Sequence, residues 1–161
     1  MAESPTHDAP THDAPTRDVP TYDEVEVGAV LPAREFQVQR QNLVMYCGAS
    51  GDFNIIHWNE RIATAVGLPN VIAHGMYTMA EAARVVTDWA GDPGAVVEYG
   101  VRFSKPVPVP DDDVGTTLRV EGTVEDKLDG QRVVVGLTAS IDGGDKRLKV
   151  LSGARAVVRL R

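Results

Sequence analysis

An aspartate and a histidine five positions apart, Asp52 and His57, stand in the segment Tyr46-Cys-Gly-Ala-Ser-Gly-Asp52-Phe-Asn-Ile-Ile-His57. A carboxylate and an imidazole held together can move protons near neutral pH, because imidazole titrates there. Were this stretch helical, the two side chains would point about 140° apart. They can converge only if the loop folds back on itself, which Gly51 and Asn54 allow. Spacing alone favours the plainer reading, a turn aspartate followed by a partly buried histidine.

A second segment, Val71-Ile-Ala-His74-Gly75-Met76, opens the longest helical pattern in the chain. Gly75 falls at or near the start of that helix. Unpaired backbone N–H groups and the helix dipole favour negative charge there. The oxygen of a thioester enolate is such a charge, so Gly75 is a candidate oxyanion donor. A helix start that uses glycine for close packing gives the same pattern. Taken together, the segments offer what proton removal beside a thioester carbonyl requires: a base in His57, a donor for the enolate oxygen at Gly75, and an acid for a departing hydroxyl in Asp52.

The surrounding pattern says what must position these groups. Glu35 to Gln39 reads as a short strand. Asn42 to Ala49 has helical spacing, with Leu43, Tyr46 and Cys47 on one side, and Ser50-Gly51-Asp52 ends it. Glu60 to Val66 is a second short helix, stopped by Gly67 and Pro69. Met76 to Ala90 is the long one, with Met76, Met79, Ala80, Ala83, Val86 and Trp89 at helical spacing and Gly91-Asp92-Pro93 after it. The remainder alternates as strands do. One run holds Val97, Tyr99, Val101 and Phe103, the next Leu118, Val120 and Val124, and a third Val133, Val135, Leu137, Ala139 and Ile141. Leu148 to Leu160 closes the chain as a single run. Asp129-Gly130 and Asp142-Gly143-Gly144 lie between runs and read as hairpin turns. This order predicts an α+β domain whose antiparallel sheet wraps a buried central helix.

The chemistry-bearing residues carry a family resemblance. Tyr46, Ser50, Gly51, Asp52, Asn54, Ile56, His57 and Ala63 match the pattern of the MaoC-like hydratases and dehydratases, which include the (R)-specific enoyl-coenzyme A hydratases. Ile72 to Met76, Gly91 to Gly94 and Tyr99 to Phe103 resemble the catalytic B subunit of the mycobacterial-type (3R)-hydroxyacyl-acyl carrier protein dehydratase. The resemblance runs from about Tyr22 to the C-terminus. It implies a hot-dog fold, with Asp52 and His57 as the catalytic pair. It implies thioester binding at Gly75, with Asn54 and His74 completing the substrate-binding set. The reaction implied is reversible interconversion of (3R)-3-hydroxyacyl and trans-2-enoyl thioesters of coenzyme A or acyl carrier protein, in fatty-acid metabolism and without a cofactor. It further implies a homodimer, or a heterodimer with a paralogous hot-dog chain. One departure stands out: Ile55 occupies the position of a family proline that would stiffen the loop between the catalytic groups.

Composition bounds the rest. The first 24 residues repeat a five-residue unit beginning Pro-Thr and carry −5 of the chain's net −7. Few apolar residues and regular prolines predict an unfolded tail over 1–24 and a folded domain over 25–161. His7 and His12 in this tail bind metal weakly at most. The acidic balance argues against nucleic acid as partner. Apolar runs are too short to span a bilayer, and the N-terminus lacks a signal-peptide pattern, so a cytoplasmic, membrane-free protein is expected. Cys47 is the only cysteine, which forbids an internal disulfide. It reads as a packed thiol rather than a nucleophile paired with His57. Asp52, His57 and His74 are metal-ligand types, but the proposed chemistry needs no metal, and none is expected. Arg102, Lys105, Lys146, Arg147 and Lys149 are candidates to meet phosphates of coenzyme A or phosphopantetheine. Asp111 to Asp113 reads as a solvated loop. Two alternatives remain: a hot-dog thioesterase using Glu81 on the central helix, and a non-catalytic acyl-thioester-binding subunit of a dehydratase complex.

Overall fold

A computed structural model describes residues 19–161. The elements follow in the order β1 (Val30–Val38), α1 (Arg40–Ser50), a 3-10 turn (Ile55–His57), α2 (Glu60–Ala65), α3 (Gly75–Ala90), a second 3-10 turn (Pro93–Ala95), β2 (Val96–Phe103), β3 (Thr116–Leu128), β4 (Arg132–Asp142), β5 (Arg147–Lys149) and β6 (Leu151–Arg159). The strands form one antiparallel sheet in the order β1-β3-β4-β6-β2, with β5 also paired to β4. α3 contacts β1, β2, β3, β4 and β6. This is the expected helix in a wrapping sheet, the hot-dog arrangement.

The wrap is driven by burial. Val85 and Val86 on α3 meet Leu118, Val120, Val124, Val133, Val135 and Val158 from the sheet in one continuous core. Full burial of each such side chain contributes about 1.5–3 kcal/mol. The buried face of α3 is Thr78, Ala82, Val85, Val86 and Ala90, not the face expected from the sequence. Val86 is shared, but Met76 and Ala80 are exposed and Met79, Ala83 and Trp89 only partly buried. The helix is apolar on more than one side, so helical periodicity alone could not choose which side the sheet would take.

β2 also departs from simple alternation. Pairing with β6 shifts register between Val96 and Glu98 and again between Gly100 and Arg102. Each irregularity changes which side chains face inward. Val96, Tyr99 and Val101 pack on the core, while Val97 and Phe103 are exposed. The C-terminal run is broken at Val150 into β5 and β6. Val150 N–H bonds Ala139 O, and its carbonyl accepts from Ser104 and Lys105. The hairpin turns lie as predicted, with Gly130 and Gly144 at positive φ of 74° and 87°.

Contacts with the folded body begin before Val25: the Val19 side chain lies against Gly91 at the end of α3, and Tyr22 docks more firmly. Its N–H bonds Arg161 O at 2.9 Å, and its hydroxyl bonds Leu128 O at 3.2 Å. Lys127 Nζ lies 4.1 Å from the centre of its ring. Part of the stretch 1–24, set apart from the domain on composition, thus touches the folded body, because one aromatic ring can dock a segment that is otherwise polar. The repeats before residue 19, with His7 and His12, lie outside the described residues.

Candidate active site

The loop between α1 and the first 3-10 turn is shaped by short-range bonds. α1 ends at Gly51, whose φ of 74° lets its N–H reach Cys47 O; a side chain would strain this left-handed cap. Asp52 Oδ1 accepts from Asn54 N–H at 3.1 Å, a self-closing turn suited to Asp. Asn54 Oδ1 in turn accepts from Ile56 N–H at 3.4 Å, starting the 3-10 turn that carries His57. The Asn54 side chain thus shapes the loop.

The fold-back brings the chemistry together. One ligand-capable atom from each of Asp52, His57 and His74 lies within 4.8 Å of the others. Asp52 is exposed and His57 is buried. His57 Nδ1 lies 2.7 Å from Ile72 O. A carbonyl only accepts, so Nδ1 is the donor, and in the neutral tautomer that fits this bond Nε2 is the bare nitrogen. No sequence pattern marks Ile72 for this role, since it acts through its backbone.

His74 stands behind this pair. Its imidazole stacks on that of His57, with centroids 3.7 Å apart and planes 24° apart. Its Nε2 lies 3.1 Å from Asp52 O and 3.6 Å from Cys47 Sγ. The ring of Tyr46 packs against it at 4.8 Å. Burial holds the His74 imidazolium pKa below the ordinary histidine value. The stacking also bears on metal binding. A metal must lie in the plane of each imidazole that ligates it, and near-parallel stacked rings do not aim their lone pairs at one point. Stacked in this way, His57 and His74 are poorly arranged to ligate one metal together. Cys47 is buried, and burial pushes its thiol pKa up, the opposite of an activated nucleophile.

His74 is the residue before α3 but makes no side-chain cap. The first backbone bond of the helix runs from Thr78 N–H to His74 O at 3.1 Å. The N–H groups of Gly75, Met76 and Tyr77 therefore lack intrahelical acceptors. Gly75 lines a cavity of about 350 Å³ with Ile72, Thr78, Phe103, Lys105 and Leu151. Of the five basic residues considered for a phosphate, Lys105 lies on this cavity. Asp52 and His57 are not among its walls, and His57 touches one of them through its Nδ1 bond to Ile72 O. Phe103, read from the sequence only as an inward strand residue, covers Gly75 instead. Glu81 pairs with Arg84 at 2.8 Å and interacts with the Tyr77 hydroxyl, so its carboxylate already has two partners. The Asp111–Asp113 loop is a turn in which Asp112 Oδ1 accepts from Val114 and Gly115 N–H.

Comparison with known proteins matches residues 24–142 to the MaoC-like domain. The chain belongs to the MaoC-like domain family. Among curated relatives, a 3-hydroxyacyl-thioester dehydratase X of Mycobacterium tuberculosis is 39% identical over 79 residues, covering 49% of this chain and 27% of the relative. The fatty acid synthase subunit beta of Aspergillus oryzae is 32% identical over 116 residues, covering 70% of this chain and 5% of that subunit. This MaoC-like chain thus spans about a quarter or less of the curated relatives it matches. Among solved structures, a MaoC-like dehydratase superposes with TM-score 0.81 at 40% identity, covering 89% of this chain and 43% of that one. The (R)-hydratase PhaJ1 of Pseudomonas aeruginosa follows with TM-score 0.74 at 26% identity, covering 87% and 84%. The hot-dog fold expected from the sequence is borne out by these superpositions. No helix among the described residues is long and apolar enough to cross a membrane.

Proposed function

We propose that this MaoC-like chain is a hydro-lyase that interconverts (3R)-3-hydroxyacyl and trans-2-enoyl thioesters. The observation that carries the reading is the convergence of Asp52 and His57 beside the uncapped start of α3. In dehydration, neutral His57 takes the C2 proton on Nε2 while the Gly75 N–H bonds the enolate-like oxygen. The Asp52 carboxyl protonates the leaving hydroxyl, which departs as water. Return of the proton from His57 to Asp52, directly or through water, resets the pair. Hydration runs the same steps backwards. The dehydratase and (R)-hydratase names of the relatives support this direction of chemistry.

The working unit in this proposal is a dimer. β2 pairs with β6 on one side only and is an edge of the sheet, with Val97 and Phe103 exposed on it. Met76 and Ala80 give α3 an uncovered apolar stripe beside Gly75. Such an edge calls for cover, and a second copy or a paralogous chain supplies it. One solved relative of this fold is a ChsH1-ChsH2 complex from Mycobacterium tuberculosis, with TM-score 0.71.

The deciding experiment follows the conjugated enoyl absorbance and free thiol release in parallel on crotonyl and longer enoyl thioesters. Loss of enoyl absorbance without thiol release is expected. Thiol release would make the chain a thioesterase, and neither signal would leave it a binding subunit. Light scattering should report a dimer, and a fully active monomer would overturn the assembly.

A further inference from the structure

We infer that His74 is a positioning residue: a neutral imidazole, protonated on Nε2, that ties the backbone of Asp52 to the head of α3 and backs the ring of His57. This role rests on the reading of Asp52 and His57 as the reacting pair.

The geometry assigns the tautomer. His74 Nε2 lies 3.1 Å from a backbone carbonyl oxygen, which accepts only, so Nε2 bears the hydrogen. Nδ1 is then the bare nitrogen. It is buried and has no hydrogen-bond partner among the described residues. A second proton would have to sit at that unpartnered position, in a residue only 1% exposed. It would also place a cation face to face with His57, which must itself gain a proton in each turnover.

Several groups surround the ring. Tyr46 and Cys47 approach from α1, Asp52 from the loop and His57 from the 3-10 turn. Tyr77 of α3 packs on Tyr46 in turn. A residue that merely filled this space would be apolar, since burying a polar nitrogen unpaired is costly. What the imidazole adds is one donor aimed at the Asp52 backbone, together with a flat face behind His57.

The placement explains why that matters. The His74 carbonyl accepts from both Thr78 N–H and Thr78 Oγ1, so its backbone is locked to the first turn of α3. The next residue is Gly75. The bond from the His74 side chain therefore sets the distance between the acid on the loop and the donor at the helix start, across 22 residues of chain. Misplacement of a reacting group by about 1 Å can cost about 100-fold in rate.

The test uses the full chain with His74→Gln and His74→Phe. Glutamine can donate an amide N–H toward Asp52 O, whereas phenylalanine keeps a flat ring but has no donor. His74→Phe should lower kcat by about 100-fold with KM within about threefold. His74→Gln should recover kcat to within about tenfold of the parent. Equal kcat in both variants, whether high or low, would overturn the inference. Nitrogen-15 spectra of the parent should show His74 protonated on Nε2 and bare on Nδ1 at neutral pH. An Nδ1–H tautomer or an imidazolium would overturn it too. A parent chain without hydration activity would count against the hydro-lyase reading, and the spectra would then decide the role of His74 by themselves.

Discussion

The ring of Phe103 lies against Gly75, so closely that a Cβ on Gly75 would stand 3.0 Å from Phe103 Cε1. This contact joins the last residue of β2 to the first of α3, and both line the same cavity. Gly75→Ala must push the ring or the helix start by a few tenths of an ångström. Because Phe103 is exposed on its other side, the ring can give way, and the melting temperature should change little. Turnover should fall by about tenfold or more, since the substitution displaces the N–H proposed as oxyanion donor. Unchanged kcat would remove Gly75 from the mechanism.

Asp52→Asn and His57→Ala should each lower kcat by about 100-fold or more. The double variant should be little worse than the worse single, because groups acting in one proton transfer are not additive. The stability effects should differ. Asp52 is exposed, whereas His57→Ala leaves Ile72 O without its donor, a loss of about 1–3 kcal/mol. Kinetics beside chemical denaturation separate the two effects, and a His57→Ala protein that still hydrates enoyl thioesters would end the mechanism.

Ile55→Pro should stabilise the chain. Ile55 is the first residue of the 3-10 turn, and Asn54 before it has φ −56° and ψ 124°. That is backbone a residue preceding proline adopts readily, and the first helical position tolerates the missing N–H. The gain should be about 0.4–1 kcal/mol, drawn from the unfolded chain. Thermal unfolding checks it, and a lower melting temperature would mean that the Ile55 N–H is needed.

Deleting residues 1–18 should leave melting temperature and turnover unchanged, because that segment is poor in apolar side chains. Tyr22→Ala should instead cost stability by about 1–3 kcal/mol, since the ring packs on the core and its hydroxyl bonds Leu128 O. If the deletion lowers the melting temperature as much as Tyr22→Ala does, the repeats also dock.

Stability should fall on the acid side through His74. Its folded-state pKa lies below the ordinary value of 6.5 because burial disfavours the cation. Between those two values the unfolded chain binds more protons than the folded one, so stability drops as pH falls through that window. Above 6.5 the two states carry the same proton count at this site and its contribution is constant. His74→Gln does not titrate. Its melting temperature should therefore decline less than the parent's below about pH 6.5, and parallel curves would remove His74 as the cause.

By itself the sequence determined the kinds of element and pointed to the residue types proposed to react. Gly51, Gly91 and Gly130 marked ends and turns because left-handed backbone is a property of single residues, and each has positive φ. Alternation placed β3 and β4 because both faces of a regular strand are set by a period of two. Asp52, His57 and Gly75 stood out because their chemistry is carried by residue type. Only the tertiary structure decided which side of α3 the sheet buries, since that helix is apolar on several sides and the choice depends on distant strands. It decided the inward set of β2, because the two register shifts arise from pairing with β6. It also decided the order behind the proposed pair, Asp52 and His57. The Ile72 carbonyl that fixes the His57 tautomer and the Asp52 carbonyl that engages His74 are backbone groups, identical in every residue, and they acquire meaning only where the chain returns to meet them.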